Sequence, residues 1–269
     1  MDIEQYCQLF QISNDGVDID KITSENIKNQ LLSKKFVLIQ DAVEKDYVNQ
    51  MREFWLSNPI SSSNHSDLCY GQENYAHVFF GKYKRYFDFY WNEPTCKLSR
   101  QISLLLHYAR NIIGGYHPLY GLTFMPNRIG IYQAVTHYPI DTGEMAVHVD
   151  PNSFLPLHYV LPLTFKSKDW QFGGLNIHLG SQIIDIDELH SLGSLLIFNP
   201  SIPHSVQRVG GIGSDSSIGR LQLFSIPTEF SQKKAQSFYK NTALEIFGRY
   251  KYMLYQKGFG LRDSNKNFR

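Results

Sequence analysis

The sequence predicts a mainly β fold: an antiparallel sandwich or barrel, with helices packed before and after it. Three observations predict it. Between Arg128 and Pro227 short segments of alternating apolar and polar residues recur, separated by Gly, Asp, Ser and Pro. The chain carries 17 Tyr and 18 Phe, side chains that suit a pleated, half-buried surface. Helical spacing is confined to the first third and to the residues after Thr228.

In chain order, "TSENIKNQLLSKK" reads as a helix capped by Thr23 or Ser24, with Ile27 and Leu31 on its apolar face. "FVLIQ" (36–40) is a short buried strand. "EKDYVNQMREFWL" (44–56) returns to helical spacing through Val48, Met51 and Trp55. The strongest helix is 95–113, with Leu98, Ile102, Leu105, Ala109 and Ile112 on one stripe. After Gly114-Gly115 the period changes. Strands are expected in 128–138, 146–150, 157–165, 173–179, 193–199, 204–209 and 220–227, a number that fits a sandwich or barrel. The sequence thus reads as one domain over 1–269: a helical and mixed part to 119, a β-core over 120–228, and a helical part over 229–269.

The 269 residues suffice to bury a sizeable core, and 42% hydrophobic with 19% charged residues is a globular composition. The formal net charge of +1 gives no electrostatic reason to expect nucleic acid as a partner. Cys7, Cys69 and Cys96 are scattered and odd in number, with no CxxC or zinc spacing, as in a reduced compartment. The start, "MDIEQYCQLF", is acidic where a signal peptide is basic, and no apolar run approaches the ~18 residues of a membrane span. A soluble, cytoplasmic protein without a membrane partner is expected. Oligomeric state is not legible.

"EMAVHVDPNSF" (144–154) poses the functional question. Residues i and i+2 of a strand face the same side, so His148 and Asp150 place an imidazole and a carboxylate together where packing alone would favour Val or Ile. That is two thirds of a two-histidine, one-carboxylate site, which suits non-haem Fe(II) and leaves coordination positions open. His204, in "FNPSIPHSVQRV" 56 residues after His148, is the best third ligand. His137 and His158 have no carboxylate two positions away, His178 lies in "NIHLGS" and His190 follows "DIDEL"; these are poorer candidates.

These segments resemble the Fe(II)- and 2-oxoglutarate-dependent dioxygenases, in particular the phytanoyl-CoA-dioxygenase-like branch. The resemblance lies in "HVD" at 148–150, "GGLNIHLGS" at 173–181, "GSLLIFNPSIPH" at 193–204 and "GRLQLFSIP" at 219–227, with "KKFVLIQDAVEKDYVNQM" as the opening strand and helix. It implies a double-stranded β-helix, or jelly roll, with the metal in its mouth. It further implies Fe(II) held by His148, Asp150 and His204, with 2-oxoglutarate and O2 as cosubstrates and succinate and CO2 as coproducts. Such enzymes anchor the distal carboxylate of 2-oxoglutarate on a basic residue of the strand after the second histidine. Arg220 fits, 16 residues after His204, and a guanidinium grips a carboxylate bidentately. Two departures are that Gln222 stands where the family often has Ser or Thr, and that "GGIGSDSSIG" lengthens the spacing; Arg208 is the competitor. On the strand before the HVD turn, Tyr132 and Gln133 point to opposite faces. Gln133 is preferred for the cosubstrate, because a core-facing amide needs a ligand; Tyr132 then goes to the substrate. An intact Asp150 favours hydroxylation, or oxidation leading to demethylation, desaturation or ring closure, over halogenation, where related enzymes carry a small residue.

The expected substrate is a small, polar, anionic molecule. "GKYKRYFDFYWNEP" (81–94) interleaves cations with aromatic rings and is expected to form a lid, with Arg85 and Arg128 as clamps for an anionic group. A Tyr/Phe-rich strand or helix packed on the sheet is the plainer expectation for the same segment. Alternative functions are a protein side-chain hydroxylase of the same superfamily, a cupin-like metal-binding jelly roll, and a non-catalytic ligand-binding one. A zinc hydrolase is disfavoured, since no HExxH is present.

Overall fold

A computed structural model describes residues 5–7, 11–13, 16–18, 21–60, 81–89, 94–116, 131–150, 157–211 and 218–227. The elements are β1 (Gln5–Cys7), β2 (Gln11–Ser13), β3 (Gly16–Asp18), α1 (Lys21–Lys34), β4 (Phe36–Gln40), α2 (Lys45–Ser57), β5 (Gly81–Lys82), β6 (Lys84–Phe89), α3 (Lys97–Ile113), β7 (Ile131–Pro139), β8 (Glu144–His148), β9 (His158–Pro162), β10 (Phe172–Leu179), β11 (Gln182–Asp185), β12 (Leu195–Phe198), β13 (His204–Gly210) and β14 (Gly219–Pro227). A seven-stranded sheet in the order β1-β4-β12-β9-β14-β7-β6 and a five-stranded sheet in the order β11-β10-β13-β8-β5 form the core, with β2 and β3 as a separate pair. Apart from the parallel pair β1–β4, neighbouring strands of the two large sheets are antiparallel.

Alternation decides what each face buries. On β4 and β12, Val37, Ile39, Leu195 and Ile197 pack against Ile27 of α1, Met51 of α2 and Ile102 and Leu106 of α3. The intervening Phe36, Leu38, Leu196 and Phe198 pack instead with Leu175 and Ile177 of β10 and Val206 of β13. One core therefore lies between the helices and the larger sheet, and a second lies between the two sheets. Ile39, Ile102 and Leu196 are fully buried, and each such side chain contributes roughly 1.5–3 kcal/mol. This is the mainly β architecture with flanking helices that the sequence predicts.

Some boundaries differ. Helix α1 begins at Lys21, so Thr23 and Ser24 lie inside it rather than at its cap; Ser24 Oγ donates to the Ile112 carbonyl of α3 (3.4 Å). Residues 81–89 are strands, with β5 joining the five-stranded sheet and β6 the seven-stranded one, so this part of 81–94 is sheet and not a lid. The expected helix over 229–269 lies outside the described residues. No helix among the described residues is long and apolar enough to cross a membrane.

Candidate metal centre

Antiparallel pairing of β8 with β13 sets His148 directly opposite His204. Side chains so placed are cross-strand neighbours, and the two rings lie with centroids 4.3 Å apart. Asp150 follows two residues past His148, beyond the end of β8, where its backbone N–H donates to the Pro200 carbonyl (2.9 Å). Its Oδ1 is 3.6 Å from His148 Nε2 and its Oδ2 is 3.4 Å from His204 Nε2. One ligand atom from each of the three residues lies within 4.8 Å of the others. The structure thus brings together the three residues that the sequence nominates as ligands.

The tautomers follow from the backbone. His148 Nδ1 is 2.9 Å from the Ala146 carbonyl and His204 Nδ1 is 2.9 Å from the Ile202 carbonyl. A carbonyl only accepts, so both Nδ1 atoms carry a proton, and Nε2 is in each ring the nitrogen turned toward Asp150 and the ligand atom on offer to a metal. Burial, reinforced by the neighbouring His204, lowers the His148 pKa and so favours the neutral ring. Burial opposes ionisation of Asp150, but hydrogen bonds from His158 and His204 outweigh it and hold the carboxyl well below the usual carboxylate range. Two imidazole Nε2 atoms and one carboxylate converging on a point are the donor set of a divalent first-row metal.

A fourth residue, His158, has no carboxylate two positions away in sequence and yet belongs to the site. At the start of β9 it reaches Asp150 across the fold, with Nδ1 3.2 Å from Oδ2. The signal was present: His158 is two residues from Val160, so alternation puts both on the face that lies between the sheets.

The cation positions are distinct. Arg220, 1% exposed, donates from Nε to Asp187 Oδ2 (2.6 Å), from Nη2 to Asp187 Oδ1 (3.1 Å) and from Nη1 to Gln222 Oε1. Burial raises the Asp187 pKa, but the Arg220 charge and its hydrogen bonds win, and the carboxyl is lowered overall. Asp187 also accepts from the Leu175 N–H (2.6 Å), and a Cβ at Gly174, φ +113, would come within 2.3 Å of Oδ2; the seat requires glycine. Arg208 is exposed and donates to the Asp141 carbonyl, so it is outside the core. Arg85, on β6, is 8% exposed; its Nε donates to Thr136 Oγ1 (2.8 Å) and its guanidinium lies over the rings of Tyr83 (4.4 Å) and Phe224 (5.0 Å).

Gln133 is a correction. On β7 it pairs with Ser225, and Val135 with Leu223, both in the face covered by the helices; Arg110 of α3 donates to Ser225 Oγ (3.1 Å). Strand parity therefore turns Gln133 away from the row of Arg220 and Gln222, and its fully buried amide makes no hydrogen bond among the described residues. The same parity puts position 132 in the row of Thr136 and Tyr138. Arg128 lies outside the described residues.

No protein-family model matches the chain, and no curated protein matches it in sequence. Solved structures are similar. A Pseudomonas putida prolyl-4-hydroxylase has a TM-score of 0.51 at 13% identity, over 77% of this chain and 100% of that one. A Trichoplax adhaerens prolyl hydroxylase, in complex with a peptide fragment of the hypoxia inducible factor oxygen degradation domain, has a TM-score of 0.53 at 17% identity, over 78% and 90%. At such identities the likeness is one of fold, and with the two facing antiparallel sheets it shows a jelly-roll core.

Proposed function

We propose that this chain is a non-haem Fe(II)- and 2-oxoglutarate-dependent oxygenase acting on a small polar, anionic metabolite, such as an amino acid or a natural-product intermediate. The observation that carries the reading is the convergence of His148 Nε2, His204 Nε2 and the Asp150 carboxylate, with both histidine tautomers set by backbone carbonyls. The residues fit Fe(II): mixed nitrogen and oxygen donors, and among the described residues three converging ligands with no thiolate. The finer placement in the phytanoyl-CoA-dioxygenase-like branch rests on the motifs at 148–150, 173–181, 193–204 and 219–227.

Bound iron would supply O2 activation coupled to decarboxylation of 2-oxoglutarate, giving succinate, CO2 and an oxidised substrate. The chain's own contribution is orientation and charge. His148 and His204 offer Nε2 as ligand atoms, and Asp150, held well below the usual carboxylate range, brings one negative charge. Asp187 takes the Nε–Nη2 edge of Arg220, which leaves Nη1 and the Gln222 amide as the donors for the distal carboxylate of 2-oxoglutarate. Gln222 accepts from Arg220 through Oε1, so its amide nitrogen is the end left to donate. Arg85, walled by Tyr83 and Phe224, is the clamp for an anionic group on the substrate, and Tyr132 and Arg128 remain assigned to substrate with it.

A protein side-chain hydroxylase is the second reading, supported by the peptide bound to the Trichoplax neighbour. One assay tests the class and separates the two. The Fe(II)-loaded protein should convert 2-oxoglutarate to succinate in an O2-dependent manner, faster with the correct substrate, when metabolite pools and proline-containing peptides are screened in parallel. Succinate formation stimulated only by peptides selects the second reading. No succinate under any condition removes the 2-oxoglutarate chemistry and leaves a metal-binding jelly roll.

A further inference from the structure

We infer that His158 is a positioning residue that fixes the orientation of the Asp150 carboxylate in the metal site; the inference rests on the metal-centre reading above. Asp150 lies just beyond the end of β8, where its side chain is 31% exposed, and only its backbone N–H is tied, to Pro200. A carboxylate in that position turns freely about its terminal torsion unless something holds it. Three imidazoles surround it. His148 and His204 come from the five-stranded sheet and spend Nδ1 on backbone carbonyls, so each turns Nε2, its ligand atom, toward the carboxylate. With a metal on the two Nε2 atoms, neither of these rings can donate to Asp150.

His158 differs from both. It comes from the seven-stranded sheet, on the opposite wall, and its Nδ1 is the ring atom facing Asp150, 3.2 Å from Oδ2. A carboxylate that serves as a metal ligand can only accept, so the Nδ1 that faces it is a donor. A protonated nitrogen is not a metal ligand, and the converging group comprises His148, Asp150 and His204 without His158. Its Nε2 is buried and makes no hydrogen bond among the described residues, so the donor to Asp150 is its one polar anchor there. Packing fixes the ring: Phe198 meets it edge-on (5.8 Å, 73°) and meets His204 in the same way (5.1 Å, 71°), so donor and ligand are set against one aromatic wedge. The role follows. His158 engages one carboxylate oxygen and leaves the other for the metal, which keeps Asp150 monodentate and preserves coordination positions that a bidentate carboxylate would consume.

Co(II) binding to chelator-treated protein tests this without turnover. Asn at 158 retains an N–H donor near the Nδ1 position, whereas Leu fills the space without one. We expect His158→Leu to weaken Co(II) binding about 10- to 100-fold and to change the visible Co(II) spectrum, which reports coordination number. His158→Asn should restore most of the affinity and the wild-type spectrum. If His158→Leu does not fold, His158→Gln takes its place, because its amide reaches the Nε2 position and does not donate where Nδ1 does. The inference is overturned if the donor-less variant binds Co(II) with wild-type affinity and spectrum. It is equally overturned if Asn is as weak as Leu while both apoproteins melt alike, since ring packing and not the N–H would then be what matters. Wild-type protein that binds no Co(II) at all would instead remove the metal-centre reading itself.

Discussion

Arg220 shows how much one residue carries in this fold. Its guanidinium is almost fully buried and its charge is balanced by an equally buried Asp187. Such a pair gains little over an apolar pair of the same shape, but breaking it leaves a charge alone in the interior. Asp187→Ala is therefore expected to cost roughly 3–5 kcal/mol, read as a lower denaturation midpoint in urea. The same residue is the proposed cosubstrate anchor. Titration of 2-oxoglutarate should show Arg220→Ala raising the apparent requirement on the order of 100-fold. Arg208→Ala should leave it unchanged, because Arg208 is exposed and engages a backbone carbonyl. A large effect at Arg208 with none at Arg220 would reverse the assignment.

Among the elements, what was legible in the sequence is what alternation and spacing encode. The strands that became β4, β7, β8, β9, β10, β12, β13 and β14 were all expected, and the HxD pair with a later histidine marked the candidate site. Three things escaped, each for a physical reason. The short strands β1, β2, β3 and β11 span three or four residues, too few for a period to show. Helix α3 was expected to bury Leu98, Leu105 and Ile112, yet these are half-buried, while Ser99, Ser103, His107 and Arg110 are buried with Ile102, Leu106, Ala109 and Ile113. Hydrophobic periodicity does not register polar groups that find partners across the interface. Here Trp55 Nε1 donates to Ser99 Oγ (2.9 Å), and the hydroxyls of Ser103 and Tyr159 are 3.0 Å apart. For residues 81–94 the interleaved cations and rings left a lid and a packed strand both open. Over 84–89 pairing with β7 selects the strand and sorts the side chains: Arg85 turns toward the ring of Tyr83 between the sheets, and Tyr86 turns toward Trp55 under the helices.

The whole molecule should be sensitive to acid through histidines outside the metal centre. Burial lowers the pKa of His137 and of His190 to about 4 in the fold; beside His137 lies Lys84, and beside His190 lie Asp187 and Arg220. In the unfolded chain each titrates near 6.5. Between these values the unfolded state binds protons that the folded state does not, so stability is full above about pH 6.5 and falls as pH drops toward 4. Each group contributes about 1.4 kcal/mol per pH unit in that window. Both together should lower the melting temperature on the order of 10 °C between pH 7 and 5, and a temperature that holds constant or rises would contradict it. The account as a whole depends most on one claim, that His148, Asp150 and His204 form an Fe(II) site. Anaerobic calorimetric titration of the chelator-treated protein with Fe(II) measures it most directly. The result expected is one Fe(II) per chain, with binding lost in His148→Ala and in His204→Ala while the melting temperature of the metal-free protein is retained. Wild-type protein that takes up no Fe(II), or a pair of variants that bind it as the wild type does, would contradict the claim.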